Sequence, residues 1–396
     1  MHSVEEATRA VMERMTRLPV ETVALRAARG RVLAADVFAG RNLPGFDNSA
    51  MDGYAARSAE LPGTLPVAFT VAAGDALRPD AIPERHAVRI FTGAPLPPGA
   101  DTVVIQEDVS LEGDQVTLPA SEVGDNVRRA GEDIAIGELA IAAGTRLGGA
   151  DLGLLAALGF AEIAVVRAPR VALIATGDEL VDVSTVPGPG QLVDSSAHAL
   201  AAMIADAGAS ATYIGIARDD PMTMAALIAS AFDHDVVITT GGVSVGDRDH
   251  VRAALASAGV QLELYKVAMK PGKPFSFGMN GVVPVFGLPG NPVSTFTVFE
   301  LFVRPALLAL QGATVTRRPR APVVLVRGYR KQAGRSHFLR AHVVRNKDHL
   351  IAHPHPKQGS AMLSSLIGCN ALVELAAEMT EVVPDTVVPA ILLEAV

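Results

Sequence analysis

Five loops in the second half of the chain carry residues that could do chemistry. Each follows a predicted strand and combines glycine or proline with acidic, amide or basic side chains: TGDE (176–179), RDDP (218–221), GGVSVGD (241–247), KPGKP (270–274) and GLPGNP (287–292). Glycine lets backbone N–H groups approach a phosphate closely, and carboxylates beside it can hold a divalent cation. The combination predicts a site for a phosphorylated ligand together with Mg²⁺.

The same loops also have a purely structural interpretation. The Gly-Gly pair at 241–242 is typical of an ordinary turn, and the Asp-Asp-Pro run at 219–221 is equally typical of a helix N-cap. Asp178 can cap its own turn. Lys270 and Lys273 are harder to explain in this way, because they concentrate positive charge around a rigid Pro-Gly turn in a chain of net charge −8.

Three further segments, 46–54, 91–95 and 126–134, mix carboxylates, amides, hydroxyls and arginines outside these loops. Composition alone favours a solvated turn for each of them. Their spacing does not say whether they lie near the five loops.

An alternation of predicted strands and helices positions the five loops. Strands are predicted at 171–175, 211–216, 236–240, 261–267 and 282–286, and helices at 195–207, 221–232, 249–258 and 292–310. Such alternation is typical of parallel β-α-β units with helices on both faces of one sheet. In an open parallel sheet, ligands bind beyond the carboxyl ends of the strands, where all five loops would meet.

The remaining regions have different patterns. Ser3 and Glu6 have capping-box spacing, and the helical periodicity that follows continues until Pro19. Short β-branched runs at 67–71, 88–91, 102–105 and 115–118 predict a small β-rich domain, and strands after Pro319 predict a terminal barrel or sandwich.

Composition excludes several classes of protein. The 396 residues are too many for one ordinary core, and aromatic residues supply only 4% of them, too few for a stacking surface for single-stranded nucleic acid. A net charge of −8 also disfavours nucleic acid as a partner. The single cysteine, Cys369, and the lack of an apolar leader predict a cytoplasmic protein, and no uninterrupted apolar stretch predicts a membrane span.

Taken together, eight ordered motifs resemble those of the molybdopterin molybdenumtransferase family, known as MoeA and as the gephyrin E-domain. They are FDNSAMDGYA (46–55), FTGAPLPPGADTVV (91–104), NVRRAGEDI (126–134), TGDEL (176–180), RDDP (218–221), TTGGVSVGDRD (239–249), KPGKPF (270–275) and GLPGNPVS (287–294), with QGS (358–360) near the end. The ordered set is far more specific than any one motif.

The resemblance implies a multidomain fold of α/β and β parts. Residues 1–45 and 135–168 would form an elongated, discontinuous domain I, 46–134 an inserted β-rich domain II, 169–312 a three-layer α/β molybdopterin-binding domain III with a parallel-type sheet, and 313–396 a C-terminal β-barrel-like domain IV. It also implies a homodimer with a shared active-site cleft.

The family's reaction inserts molybdate into adenylylated molybdopterin, with cleavage of the pyrophosphate bond and release of AMP. The implied cofactor is Mg²⁺, and a further implied partner is the adenylyltransferase that precedes this step. Two alternatives stay open: an enzyme of the same fold that performs the adenylylation or a pyrophosphatase step, and a non-catalytic scaffold or cofactor carrier.

The resemblance also assigns residues to roles. Domain II would supply Asp52, Thr92 and Asp133, and domain III would supply the Mg²⁺ ligands Glu179, Asp219 and Asp249 with the cations Lys266, Lys270 and Lys273. The pterin and phosphate pocket would be shaped by Gly242, Ser244, Pro289, Asn291 and Pro292, and molybdate would contact Arg340 and Ser360.

Three observations qualify or complete these assignments. His250 replaces the tyrosine usual after this aspartate in the family, which bears on how Asp249 is held. Arg340 has the alternative of being an ordinary surface strand residue. His349, His353 and His355 are interpreted as surface or packing residues, because a structural zinc site requires four N or S ligands.

Overall fold

The computed structural model describes residues 1–77, 79–218, 220–241, 250–394 and 396. The described residues among the first 166 form two α-helices and twelve short strands. These elements are α1 (Val4–Met12), β1 (Val20–Ala24), β2 (Val37–Phe38), β3 (Asn48–Ser49), β4 (Gly53–Ala56), β5 (Gly63–Val71), β6 (Ala87–Ile90), β7 (Thr102–Ile105), β8 (Ser110–Glu112), β9 (Gln115–Leu118), β10 (Val127–Arg128), β11 (Leu139–Ile141), α2 (Gly149–Ala157) and β12 (Glu162–Val166).

Strand pairing brings the two ends of this region together around a β-rich insertion. β1 pairs antiparallel with β12, and β2 pairs antiparallel with β11. Between them, six strands form one sheet in the order β7-β4-β6-β5-β9-β8. These pairings support the discontinuous domain I, although the exact domain boundaries stay a prediction.

Helix α1 begins as predicted, with the Ser3 and Glu6 capping box formed. It ends at Met12 rather than near Pro19. Beyond Met12 the chain leaves the helix, and Arg14 forms an ion pair with Glu263. The buried face of α1, which includes Val4 and Val11, packs into the core of the α/β region.

The described part of the α/β region contains nine strands and a set of helices on both faces. The elements are β13 (Arg170–Thr176), β14 (Leu180–Val181), β15 (Leu192–Val193), α3 (Ser196–Asp206), β16 (Ser210–Ala217), α4 (Pro221–Ala229), β17 (Val236–Thr240), α5 (His250–Ser257), β18 (Gln261–Tyr265), β19 (Met269–Lys270), β20 (Ser276–Asn280), β21 (Val283–Leu288), α6 (Pro292–Val298), a π-helical segment (Phe299–Val303) and α7 (Arg304–Leu310).

Its central sheet is mixed, with the order β16-β13-β17-β21-β20-β18. The four strands β16, β13, β17 and β21 are parallel, as predicted. Strand β20 was not predicted and runs antiparallel to both neighbours, so the sheet is of parallel type but not parallel throughout. One hydrophobic core lies under α1, α3, α6 and α7, and another under α4 and α5, which gives the three layers.

The end of the chain forms a closed barrel of five strands. The elements after α7 are β22 (Arg320–Leu325), β23 (Tyr329–Arg330), β24 (Ser336–Asn346), β25 (His349–Pro354), β26 (Ala371–Leu375), β27 (Glu381–Val382) and β28 (Thr386–Leu392). The ring closes as β24-β25-β22-β28-β26 because β26 also pairs with β24. Strand β19 pairs parallel with β24 and so joins the α/β region to the barrel.

The helical run Pro292–Leu310 is long and apolar enough to cross a membrane by composition. Of its most apolar stretch, 83% is buried inside the protein, against the sheet and the barrel. It is a core helix of this fold.

Candidate functional site

A cavity of about 640 Å³ lies at the carboxyl ends of the central strands. Its wall includes Thr176 at the end of β13, Thr240 and Gly241 at the end of β17, and Pro289 and Asn291 between β21 and α6. Gly241 has φ +89°, and a Cβ atom there would lie 2.4 Å from the carbonyl oxygen of Thr176. The tight contact between two strand ends therefore requires glycine.

Two carboxylates lie on this wall. Glu179 follows β13, as the sequence predicted. Asp194, just before α3, was not predicted; it is 4% exposed and accepts hydrogen bonds from the backbone N–H groups of Ser196 and Ala197 and from the Tyr213 hydroxyl. With both oxygens engaged, Asp194 shapes the wall, whereas Glu179 is the acidic group with a carboxylate left for a ligand.

Tyr213 lines a different cavity together with Asp194 and is linked to the first one only through its hydrogen bond to Asp194. Burial raises the pKa of its hydroxyl, and the neighbouring Asp194 carboxylate raises it further. The hydroxyl consequently stays protonated and keeps donating to Asp194. Asp194 could not be singled out from the sequence, because an acidic residue before Ser-Ser at the start of a helix indicates a helix N-terminus rather than a site.

A second cavity of about 240 Å³ adjoins the first and shares Pro274, Pro289 and Asn291 with it. Its remaining described wall supplies three cations and three polar side chains: Lys270, Lys273, Arg335, Ser294, Gln358 and Ser360. None of the described lining residues is acidic. Converging cations, amides and hydroxyls suit a compact oxyanion.

Five of the residues assigned from the sequence line the second cavity: Lys270, Lys273, Pro289, Asn291 and Ser360. Pro289 and Asn291 line the first cavity as well. Pro292 lines the first cavity. Lys266 lines neither; it has φ +68°, and its Nζ lies 4.8 Å from the centre of the Tyr265 ring.

Arg340 lines neither cavity, and its burial shows that the alternative of a surface residue was wrong, whereas its assignment to molybdate stays a prediction. It is 1% exposed, on the face of β24 opposite the barrel core that Leu339 and Ala341 enter. Its Nε donates to Ser365 Oγ at 2.9 Å, and its Nη2 donates to the carbonyl oxygens of Lys357 and Gly359 at 2.9 and 3.2 Å. Arg340 thus holds the loop that carries Ser360, and its buried Nη1 has no hydrogen-bond partner among the described residues.

Asp52 and Thr92 form a separate cluster in the β-rich insertion. Antiparallel pairing of β4 with β6 places Gly53 opposite Ile90 and so brings the flanking residues together. Asp52 Oδ1 accepts hydrogen bonds from Thr92 N at 2.7 Å and Thr92 Oγ1 at 2.8 Å. These two bonds, with a smaller contribution from the charge of Arg89, lower the pKa of Asp52.

Neither Asp52 nor Thr92 lines either of the two cavities. Asp133 is exposed, and its backbone N–H donates to the Leu43 carbonyl. The structure of one chain therefore leaves the domain II residues apart from the α/β site.

Asp219, Gly242, Ser244 and Asp249 lie outside the described residues. Within the described part of the chain, no group of three or more His, Cys, Asp or Glu side chains could hold a metal ion. Of the three predicted Mg²⁺ ligands, Glu179 alone can be placed, and it offers the carboxylate oxygen that Mg²⁺ prefers.

Comparisons with known proteins match the chain from end to end. The MoeA N-terminal region (domain I and II) matches residues 2–159, the probable molybdopterin binding domain matches 172–309, and the MoeA C-terminal region (domain IV) matches 322–393. These matches confirm the resemblance found in the sequence motifs.

Similar proteins cover the chain at full length. Molybdopterin molybdenumtransferase 2 of Mycobacterium tuberculosis is 38% identical over 400 residues, covering 98% of each chain. Molybdopterin molybdenumtransferase of Haemophilus influenzae is 35% identical, covering 96% of this chain and 95% of the other. The crystal structure of the molybdopterin biosynthesis MoeA protein from Pyrococcus horikoshii OT3 superposes with a TM-score of 0.86 at 29% identity, covering 99% and 100% of the two chains. The chain belongs to the molybdopterin molybdenumtransferase family.

Proposed function

We propose that the protein inserts molybdate into adenylylated molybdopterin, with cleavage of the pyrophosphate bond and release of AMP. Membership of the family makes it a transferase of molybdenum cofactor biosynthesis. The finer assignment of substrate and product is supported by the two cavities that share a wall.

The observation that carries the proposal is the chemical contrast between these adjoining cavities. The larger one has room for an extended ligand and is flanked by strand-end glycine and hydroxyl groups. The smaller one is acid-free among its described residues and carries Lys270 and Lys273 beside Ser360. A pterin with its pyrophosphate would occupy the first, and the molybdate oxygens would be bound in the second.

Mg²⁺ would be held by Glu179, together with Asp219 and Asp249. When bound, it would offset the charge of the pyrophosphate and stabilise charge on the leaving phosphate. The chain's own lysines, Lys270 and Lys273, bind and orient the oxyanion, and Asn291 lies on the wall between the two ligands.

The homodimer is supported by exposed apolar side chains on one small sheet. Phe38 on β2 and Leu139 on β11 are paired across this sheet and are 55% and 50% exposed, and Ile136 nearby is 65% exposed. A second copy would cover them, and the partner would then supply Asp52 and Thr92 to the cleft. A cytoplasmic location and an encounter with the preceding adenylyltransferase belong to the same proposal.

The test is release of AMP from adenylylated molybdopterin by the purified protein. We expect release to require both molybdate and Mg²⁺, and Glu179→Gln to reduce it strongly without loss of folding. AMP release at the same rate without molybdate would contradict the proposal. Consumption of ATP with plain molybdopterin would favour the adenylylating alternative, and binding of the pterin without any AMP release would favour a carrier. Full activity of Glu179→Gln would remove Glu179 from the site.

A further inference from the structure

The cluster of Asp52 and Thr92 contacts an arginine that none of the sequence motifs contains. Arg89 lies on β6, three residues before Thr92, and pairs in register with Tyr54 of β4. Strand β4 begins at Gly53, directly after Asp52. The two strands that position the cluster therefore also position Arg89.

The guanidinium of Arg89 contacts the chain directly beside each of these two residues. Its Nη1 donates to the carbonyl oxygen of Gly53, the residue after Asp52, at 3.1 Å. Its Cζ lies 4.9 Å from the centre of the ring of Phe91, the residue before Thr92. One side chain thus bridges the two backbone segments whose hydrogen bonds form the cluster.

A second set of bonds connects Arg89 to the Asp52 backbone through Gln106, just after β7. The Nη2 of Arg89 donates to Gln106 Oε1 at 2.6 Å, and the backbone N–H of Gln106 donates to the Asp52 carbonyl at 3.0 Å. Gln106 Nε2 donates to Glu107 at 3.3 Å, so the amide lies between the guanidinium and that carboxylate. Arg89 therefore holds a residue that in turn holds the chain at Asp52.

Packing sets the place of Arg89 as well. Its Cζ lies 5.1 Å from the centre of the Tyr54 ring, and Tyr54 is 4% exposed. Beside it, Gly53 has no room for a side chain, because a Cβ there would lie 2.1 Å from the carbonyl oxygen of Val104. A guanidinium that stacks near two rings and donates to two acceptors is held in one orientation.

Arg89 also supplies positive charge beside the Asp52 carboxylate. Among the residues that the structure describes, Arg89 forms no ion pair. The hydrogen bonds from Thr92 lower the pKa of Asp52 most, and the charge of Arg89 lowers it further. A cation next to a carboxylate stabilises its ionised form.

We propose that Arg89 is a positioning residue for Asp52 and Thr92, which fixes the backbone beside both residues and keeps a positive charge next to the carboxylate. The inference rests on the proposed function only for the part that Asp52 plays in the reaction. Lysine would keep the charge but lacks the planar fork that reaches Gly53 and Gln106 together.

The first experiment measures the pKa of Asp52 by NMR on full-length protein labelled with ¹³C in the aspartate carboxyl groups. The Asp52 signal is the one missing from Asp52→Asn, and it is titrated over about pH 3 to 7 to bracket ordinary carboxyl values. We expect Arg89→Gln and Arg89→Met to raise the pKa of Asp52, and Arg89→Lys to leave it closer to the wild-type value. Methionine keeps much of the packing against Tyr54 and Phe91, so it serves if the glutamine variant does not fold.

Arg57→Gln is the matched control. Arg57 lies in the same β-rich insertion, and its Nη1 and Nη2 donate to the carbonyl oxygens of Pro83 and Ile82 at 2.9 and 2.6 Å. The variant removes an equal charge and a similar pair of bonds elsewhere in the insertion, so the pKa of Asp52 and the rate of AMP release should not change. An unchanged pKa of Asp52 in both Arg89→Gln and Arg89→Met, or an equal rise in Arg57→Gln, would overturn the proposal.

A second experiment asks whether Arg89 acts through Asp52. We expect Arg89→Gln, checked for folding by thermal melting, to reduce kcat/KM for AMP release by up to roughly a hundredfold, as for a small displacement of a group at the site. Arg89→Lys should recover part of the loss. Added to Asp52→Asn, Arg89→Gln should cause little further loss, because the carboxylate that it positions is already gone. Losses that multiply in the double variant would show a merely structural role and contradict the proposal.

The two experiments also separate this inference from the proposed function. If Asp52→Asn releases AMP at the wild-type rate, the part given to Asp52 in the proposed function is wrong. The NMR titration still decides in that case whether Arg89 sets the pKa of Asp52.

Discussion

At the residue scale, Asp52 shows how hydrogen bonds change the pKa of a carboxylate. Thr92 donates to it twice, once from the backbone and once from the hydroxyl, and both bonds lower the pKa of Asp52. The carboxylate therefore stays ionised to lower pH than an ordinary aspartate.

Removing the hydroxyl should reverse part of this effect. In Thr92→Val the backbone donor remains and the side-chain donor is lost, so the pKa of Asp52 rises. If Asp52 acts in its ionised form, the acid limb of kcat/KM moves to higher pH, and the loss of activity grows as pH falls toward that limb. The profile should be measured over about pH 4 to 8, a range that brackets ordinary carboxyl and imidazole pKa values.

Thr92→Ser is the control for this experiment because it keeps the hydroxyl. Its profile should overlay that of the wild type. An unshifted acid limb in Thr92→Val would show that the hydroxyl bond does not tune the reaction.

The sequence predicted part of the candidate site, and the rest was missed because it depends on contacts between residues far apart in the sequence. Lys270 and Lys273 could be predicted because two lysines flank one rigid turn, and both line the second cavity. Arg335 could not, because only the pairing of Ser336 with Met269 brings it to them, and that pairing joins residues far apart in the sequence. Arg340 matched a motif, but its burial could not be read from the sequence.

At the element scale, the helical run after β21 links the α/β core to the barrel through one buried carboxylate. Glu300 lies in the π-helical segment, and its side chain is 4% exposed. Arg318 binds both its oxygens, at 3.0 and 3.2 Å, and also donates to the Leu393 carbonyl at 2.7 Å.

Removal of Arg318 should therefore destabilise the protein. Arg318→Leu leaves Glu300 buried with Arg304 at 4.0 Å as its remaining cation. We expect a loss of about 3 kcal/mol in the free energy of unfolding, at the low end for a broken buried pair because Arg304 remains. Denaturant unfolding measures it.

Arg330→Leu provides the comparison. Its ion pair with Glu381 has side chains that are 83% and 53% exposed, so its loss should cost only about 0–1 kcal/mol. Equal losses in the two variants would show that the Glu300 pair does not hold the domains together.

Elements whose residues have a clear local pattern were predicted well. Elements that depend on pairing with residues far apart in the sequence were predicted poorly. Strand β17 was predicted at the observed bounds because its residues are an apolar and β-branched run. Strand β20 was missed because it contains Gly278, which usually weakens a strand. A Cβ at Gly278 would lie 2.5 Å from the carbonyl oxygen of Gln261, so glycine is needed there for close approach of β18.

At the scale of the whole molecule, the proposed cleft shared between subunits makes a prediction about mixed dimers. Asp52→Asn damages the domain II half of a site, and Glu179→Gln damages the domain III half. A heterodimer of the two variants would have one site with both defects and one with neither. Purified with two different tags, it should recover about half of the wild-type activity.

Two variants damaged in the same half give the control. A heterodimer of Glu179→Gln and Lys270→Gln has a defect in each site and should remain inactive. If the mixed Asp52→Asn and Glu179→Gln dimer is equally inactive, or if active protein sediments as a monomer, the cleft is not shared between subunits.

The pairing of β19 with β24 has a consequence for how the second cavity works. Because Lys270 and the segment after Arg335 are joined by backbone hydrogen bonds, the backbone positions from which these cations extend are held at a fixed separation. If the cavity binds an oxyanion as proposed, the bound charge would relieve the mutual repulsion of these cations. A backbone fixed in this way would also reduce the entropy lost to reorganisation on binding.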